Sequence, residues 1–402
     1  MKINKIYFWS MASHGAGISG GDRIFMEFVK RWRTKHPVTV VTWAEGESMM
    51  ARNNLLESAN VSFQRLLVPK IIRFNFLLCY LYRIIIGIFT ALTMRLDSPL
   101  ELYLYSSSEF WMDSLPSFIL KLRYPTINWI ATWYQTAPNP LVGFSNGRYR
   151  ITALLLWLSQ LPIKPLIGNF ADVVLVNNDT EKKIFPKSQT IVVLGAVDTK
   201  LIETYIAKNP KTKKKYAAVF QGRFHPQKGV VELIDVWKKV VEKIPDAKLA
   251  MIGDGPLMES VKLEIRNLKL ENNVKLLGYV FDGDEKYKLF AQSKIVVHPA
   301  FYDSGGMASA EAMAFGLPCI GFNLPAYESY YPKGMIKIPI GDLNSFAETI
   351  VDLLKNNSKR NLVGNQAGKF IRGSYSWDYR AREILRQIVG TTNPERKKVE
   401  SQ

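Results

Sequence analysis

From Ala217 to Leu354 the sequence alternates between short apolar runs and longer segments with apolar residues at helical spacing, and this alternation limits the fold more than any other feature. Ala217–Gln221, Lys248–Ile252, Val274–Leu277, Ile295–His298, Cys319–Phe322 and Met335–Ile338 read as strands. Val230–Lys243, Leu257–Leu268, Glu285–Ala291, Met307–Phe315 and Leu343–Leu354 read as helices. In the first of these Val230, Leu233, Ile234, Trp237, Val240 and Val241 form one apolar face. Short strands joined by helices specify a parallel, doubly wound sheet, because a parallel neighbour needs a helix-length crossover. Right-handed crossovers bring every loop after a strand to one edge, where such sheets bind ligands.

The N-terminal half opens with a βαβ unit: strand Lys5–Trp9, a glycine-rich loop Gly15–Gly21, helix Asp22–Arg33 and strand Val38–Trp43. Val173–Asn177 and Val192–Val197 read as further strands, with a helix starting at Thr180–Phe185. A chain of 402 residues is too long for one ordinary core, and the basic linker Lys208–Lys215 (KNPKTKKK) places a boundary near it. The expected organisation is an N-terminal Rossmann-like domain, 1–200, a C-terminal one, 201–375, and a closing helix, 376–402, returning to the first domain.

The formal net charge of +18 allows nucleic acid, an anionic membrane surface or phosphorylated small molecules as partners. Nucleic acid is not expected, since no stacked-aromatic RNA motif, zinc-finger spacing or basic zipper region occurs. Phe74–Met94 is apolar enough to span a bilayer, but Arg83 near its middle is costly there and Arg73 and Arg95 flank it. A helix packed in the first domain, or lying on a membrane surface, is the expectation. A second apolar run, Leu154–Leu161, ends at Pro162 and is followed by Lys164. Cys79 and Cys319 read as reduced core residues, and the first residues enter a strand without an export signal, so the expected location is cytoplasmic, with the cytoplasmic membrane face as a candidate site. The glycosylation sequons at Asn60, Asn178 and Asn356 are then chance matches.

Two loops carry candidate chemistry. In Gly222-Arg-Phe-His-Pro-Gln-Lys228-Gly229, glycines let the backbone approach a ligand, while Arg223 offers a fork and Lys228 a point charge, a pairing suited to two phosphates. Two surface cations at a helix start would instead oppose the helix dipole. In the second loop Asp303 precedes Ser304, Gly305 and Gly306, whose amides and that of Met307 open a helix. Glu311 lies about two turns further on. Carboxylates so placed suit sugar or ribose hydroxyls; an N-cap at Asp303 and a solvated Glu311 are the plain alternatives, and residue type alone leaves both open.

At these residues the chain resembles the retaining GT-B glycosyltransferases of family 4, the group 1 glycosyltransferases. The resemblance rests on GRFHPQKG, on Leu194-Gly-Ala-Val-Asp198, on Ile252-Gly-Asp-Gly-Pro256 and on the D-x7-E element ending in EAMAFGLPCIG, and more loosely on Gly-Gly-Asp-Arg at 20–23. It implies an α/β GT-B fold, two doubly wound domains facing across a cleft, with acceptor bound by the first and nucleotide sugar by the second. It also implies that Arg223 and Lys228 hold the donor diphosphate, assisted by the Gly305, Gly306 and Met307 amides. Gly222, Gly253 and Ser304 would line the same site, Glu311 would hold the ribose, and Asp303 would contact the sugar. The family usually has Glu where Asp303 stands. Its members often place a histidine in the loop Trp129–Pro140; here Gln135 takes that position, able to hydrogen-bond but not to carry a proton at neutral pH. His14 is a candidate substitute, and His225 and His298 beside the phosphate loops read as structural. The acceptor implied is a glycan or lipid-linked molecule. No cofactor and no metal are expected, the nucleotide sugar being substrate.

Two further patterns are read as decoys. Gly15-Ala-Gly17-Ile-Ser-Gly20 outlines a dinucleotide fingerprint, but Met11–His14 separate it from the strand and Glu45 lies too far on, so Gly17 is assigned to the wall facing donor and acceptor. Asp282-Gly-Asp284 imitates a metal-binding D-x-D but precedes a helix, where Asp is an N-cap or turn former. Two rivals stay open: a non-catalytic nucleotide-sugar-binding scaffold, suggested by Gln135 and Asp303, and an oxidoreductase binding NAD through the first loop.

Overall fold

A computed structural model describes residues 3–14, 18–56, 59–96, 99–144, 149–185 and 190–392. The chain forms two compact units: Met1–Ala137, Leu155–Gly195 and Asp378–Gln402 in one, Pro138–Leu154 and Ala196–Trp377 in the other.

The first unit contains β1 (Lys5–Ser10), α1 (Gly20–Trp32), β2 (Val38–Thr42), α2 (Ala44–Arg52), β3 (Val61–Arg65), α3 (Phe76–Thr93), β4 (Leu102–Ser106), α4 (Trp111–Arg123), β5 (Asn128–Trp133), most of α5 (Arg150–Phe170), β6 (Val173–Val176), α6 (Asp179–Lys182) and β7 (Thr190–Val192). Among the described residues its parallel sheet runs β3-β2-β1-β4-β5-β6-β7. β2, β4, β5 and β6 are buried along their whole length, as expected of a parallel sheet with helices over both faces. A capping box starts α1, the Ser19 hydroxyl accepting from the Asp22 amide and the Asp22 carboxylate from the Ser19 amide, both at 3.1 Å.

The second unit holds α7 (Thr199–Lys208), β8 (Tyr216–Gln221), α8 (Glu232–Lys243), β9 (Leu249–Ile252), α9 (Met258–Asn267), β10 (Val274–Leu276), α10 (Asp284–Ala291), β11 (Ser293–His298), α11 (Met307–Ala314), β12 (Cys319–Phe322), α12 (Ala326–Tyr330), β13 (Met335–Ile338), α13 (Leu343–Lys355) and α14 (Asn357–Ser374). Its parallel sheet, in the order β10-β9-β8-β11-β12-β13, is the doubly wound sheet expected from the alternation. Phe220, Trp237, Phe322 and Phe346 lie in its core. α15 (Trp377–Thr391) follows, and from Asp378 it belongs to the first unit, where Trp32 Nε1 donates to the Ala381 carbonyl at 2.8 Å.

Four sequence readings change. Trp129–Trp133 is a buried strand, so only the residues after it form a loop. α5 continues through Pro162 and Pro165; both prolines are exposed, so water can satisfy the carbonyls whose helical partners they remove. Val192–Val197 is a strand only in its first residue, and Val197 instead bridges to Ser376 in the second unit. At α10 the N-cap is Gly283, at φ 135°, not an aspartate.

A candidate nucleotide-sugar site

The loops after β8, β9 and β11 meet at the carboxyl edge of the second sheet, and glycine backbone makes the meeting possible. Gly253, at φ 140°, lies so close to the Gly222 carbonyl that a Cβ would overlap it. Gly229, in the left-handed region at φ 62°, is pressed in the same way against the Pro299 carbonyl. Backbone hydrogen bonds stitch the loops together: Phe224 N to Asp254 O at 2.8 Å, and Phe301 N to Gln227 O at 2.9 Å.

This stitching places the Lys228 ammonium 2.7 Å from Asp303 Oδ2. His298 Nε2, 2.9 Å away, and Tyr327 OH, 3.1 Å away, donate to the same oxygen, while among the described residues Oδ1 accepts only the Gly305 amide, at 3.3 Å. Burial by itself would raise the Asp303 carboxyl; the adjacent Lys228 ammonium outweighs it and, with His298, holds the group well below the usual carboxylate range. Burial lowers His298 in turn, against the pull of Asp303, so a neutral ring donates its Nε2 proton. Asp303 therefore does not cap α11. The N-cap is Gly306, in the left-handed region at φ 69°, and its carbonyl accepts from the Tyr331 hydroxyl. Gly305 packs on Tyr330, which a Cβ would meet at 2.7 Å. Ser304 and Met307 flank these two glycines, partly exposed.

Glu311, on α11, accepts from Lys286 Nζ at 2.6 Å and from Gln221 Nε2 at 3.1 Å, both at Oε2. Lys286 is only 1% exposed and also pairs with Asp282. The carboxylate is thus held by protein donors, and among the described residues Oε1 accepts no hydrogen bond. Asp282, the first member of the imitation metal motif, neutralises a buried lysine. Among the described residues no group of three or more His, Cys, Asp or Glu side chains is placed to hold a metal ion.

Arg223 is exposed, and two acceptors beside it are buried without partners among the described residues: Gln221 Oε1 and His225 Nδ1. Unpartnered polar atoms at a glycine-walled, cation-bearing edge fit a polar ligand. His225 is pushed down to about 4 by burial, then by Arg223 and Lys228. The unfolded ring, near 6.5, binds more protons, so stability should fall as pH drops from about 6.5 to about 4. His225→Gln should flatten that part of a Tm-against-pH curve; an unchanged slope would assign it to another group.

Of the sequence candidates, Gly222, Arg223, Lys228, Gly253, Asp303, Ser304, Gly305, Gly306, Met307 and Glu311 come together in the second unit. Gln135 lies in the first unit after β5; its carbonyl accepts from Gln160 Nε2 at 2.8 Å. Gly17 lies outside the described residues. His14 sits 3.1 Å from Glu45 and stacks on Trp43. Tyr327, Lys286 and Gln221 went unnoticed in the sequence. Only the tyrosines had a visible signal, the YESYY run at 327–331 just after β12.

Residues 202–370 match the family model described as Glycosyl transferases group 1. Among curated proteins the chain is similar to poly(glycerol-phosphate) alpha-glucosyltransferase of Bacillus subtilis (strain 168), 26% identical over 43% of this chain and 26% of that protein. It is also similar to phosphatidyl-myo-inositol mannosyltransferase of Mycobacterium leprae (strain TN), 27% identical over 42% of this chain and 45% of that protein. The chain thus spans less than half the length of either relative. Among solved structures it is similar to Anabaena HepE in complex with UDP and glucose, with a TM-score of 0.69 and 15% identity over 96% of this chain and 100% of that one. At that identity the likeness concerns the fold alone, which is GT-B.

Proposed function

Because residues 202–370 match the family model of the group 1 glycosyl transferases, we propose that this protein is a retaining, metal-independent glycosyltransferase. It moves a hexose from a UDP- or GDP-sugar to a glycan acceptor that is lipid-linked or membrane-borne. The observation that carries the donor site is the Lys228 ammonium, held on Asp303 beside exposed Arg223 at the glycine-walled sheet edge.

In this reading Arg223 and Lys228 take up the charge that develops on the departing diphosphate, with the amides at the start of α11. Glu311, aimed by Lys286 and Gln221, accepts ribose hydroxyls at Oε1. Asp303 primarily orients Lys228, and its less occupied Oδ1 faces the donor sugar. The acceptor hydroxyl attacks the face that the phosphate leaves, and the phosphate oxygen takes its proton, so no carboxylate nucleophile is required. The acceptor class is supported by the polymer and lipid named for the two curated relatives and by the net charge of +18.

Calorimetry with UDP, GDP, ADP and NAD, in EDTA, tests the donor site. One nucleoside diphosphate should bind wild type and lose roughly ten- to hundredfold in Lys228→Ala, the worth of a charged hydrogen bond. NAD binding indifferent to Lys228 would move the chemistry to the first unit. Donor binding without release of free nucleoside diphosphate would make the protein a scaffold, and binding that requires a divalent cation would overturn metal independence.

A further inference from the structure

We propose that the outward faces of α3 and α5 form a platform that lies flat on an anionic lipid bilayer. The proposal deepens the acceptor reading and rests on it only for the purpose of the contact, not for its geometry.

The observation is an inverted helix. In a soluble domain the apolar stripe of a helix faces the core and its charges face water. On α3 the single charge, Arg83, points inward and is 1% exposed. Its guanidinium donates to the Met11 carbonyl at 2.8 Å and stacks 4.7 Å from the Trp43 ring. The outward side carries Leu78, Leu81, Ile85, Phe89 and Leu92, between 46% and 64% exposed, and Phe74 just before the helix is 92% exposed. Eighteen residues make this ridge about 27 Å long. α5 also turns apolar side chains outward: Leu155, Trp157, Leu158 and Leu161 are exposed, while Ile163 and Ile167 are buried.

The two helices belong to one layer. α4 lies between them, its Pro116 against Gly87 of α3 and its Trp111 Nε1 donating to Ser159 of α5 at 2.7 Å. Exposed apolar side chains in this number on neighbouring helices are uncommon on a soluble protein and mark an interaction face.

Charge decides the occupant. Neither the stretch from Val68 to Leu96 nor α5 contains an acidic residue. Lys70 and Arg95 stand exposed near the two ends of the α3 ridge, and Arg150 and Lys164 are exposed on α5. Basic residues at the rim of an apolar face match anionic headgroups above an acyl layer. A second copy of the chain would instead set the same cations against each other. α3 does not cross the bilayer, because its inner side is committed to the protein: Cys79, Ile84 and Ala91 are core residues and Arg83 is tied to Met11.

The test is flotation at low salt on phosphatidylcholine vesicles with and without phosphatidylglycerol, beside light scattering. Wild type should float with the anionic vesicles and release on alkaline washing. Adding salt or omitting phosphatidylglycerol should weaken binding by ~tenfold or more. Ile85→Glu with Phe89→Glu should abolish flotation at unchanged Tm, since both side chains are exposed. Lys70→Glu with Arg95→Glu should weaken binding to anionic vesicles alone. A wild-type chain that stays off anionic vesicles overturns the proposal. So does a dimer broken by the glutamate pair, which makes the face a self-association surface, and so does resistance to alkaline washing, which means a span. Nucleoside diphosphate binding in the same preparations separates the readings: its loss with flotation intact removes the transferase reading and leaves the platform standing.

Discussion

Lys228→Ala is expected to lower turnover roughly a hundredfold or more, the usual cost of removing one preorganised group that stabilises developing negative charge. Lys228 is a compact charge on a flexible stem, held by Asp303 in a partly desolvated site, so little reorganisation is needed when a phosphate arrives. The same substitution leaves Asp303 buried with His298 and Tyr327 as its remaining side-chain donors. Some loss of stability must therefore accompany the kinetic effect. Steady-state rates well below the variant's Tm, at saturating donor, separate the two. Turnover within about threefold of wild type would remove Lys228 from the chemistry.

Asp303→Asn should have the largest effect on stability, about 3 kcal/mol or more, because it strands a mostly buried ammonium without its counter-charge. In a unit of this size that corresponds to a Tm lower by roughly 6–12 °C. The pH dependence follows from the sign of the shift. The folded carboxyl titrates below its ordinary value of 3.8, so its contribution is complete above that value. It is lost as pH falls below about 4 towards the folded value. The variant should start lower at neutral pH and lack that acid-side slope. A Tm equal to wild type at pH 7 would mean that the pair is solvated and that Asp303 is free to serve the sugar alone.

Much of the second unit was readable in advance. β9 and β12 are buried along their whole length and read as unbroken apolar runs, and helices such as α8 and α13 show one apolar stripe. The cation and glycine positions of the two loops were also visible, since a backbone that must approach a ligand tolerates few side chains. The first unit was harder to read. β3, β4 and α4 went unrecognised, and Trp129–Trp133 looked like a loop because its aromatic residues sit among polar neighbours that the core also buries, such as Thr132. Pro162 looked like a helix end because a sequence cannot tell which prolines will face water.

Residue order alone determined that parallel sheets would form, that glycine-rich loops would follow their strands, and that Arg223, Lys228 and Glu311 would lie at the carboxyl edge of the second sheet. Those features follow from local periodicity and from a crossover rule that holds for any parallel sheet. Tertiary structure alone decided the partners. Lys228 and Asp303 are 75 residues apart, and Lys286 and Glu311 are 25 apart. Whether a carboxylate caps a helix, binds a sugar or holds a lysine depends on which loop folds over it. It alone decided, too, that α3 would turn Arg83 inward and its leucines outward. Hydropathy belongs to the segment, whereas the choice of buried face belongs to the neighbours that cover it.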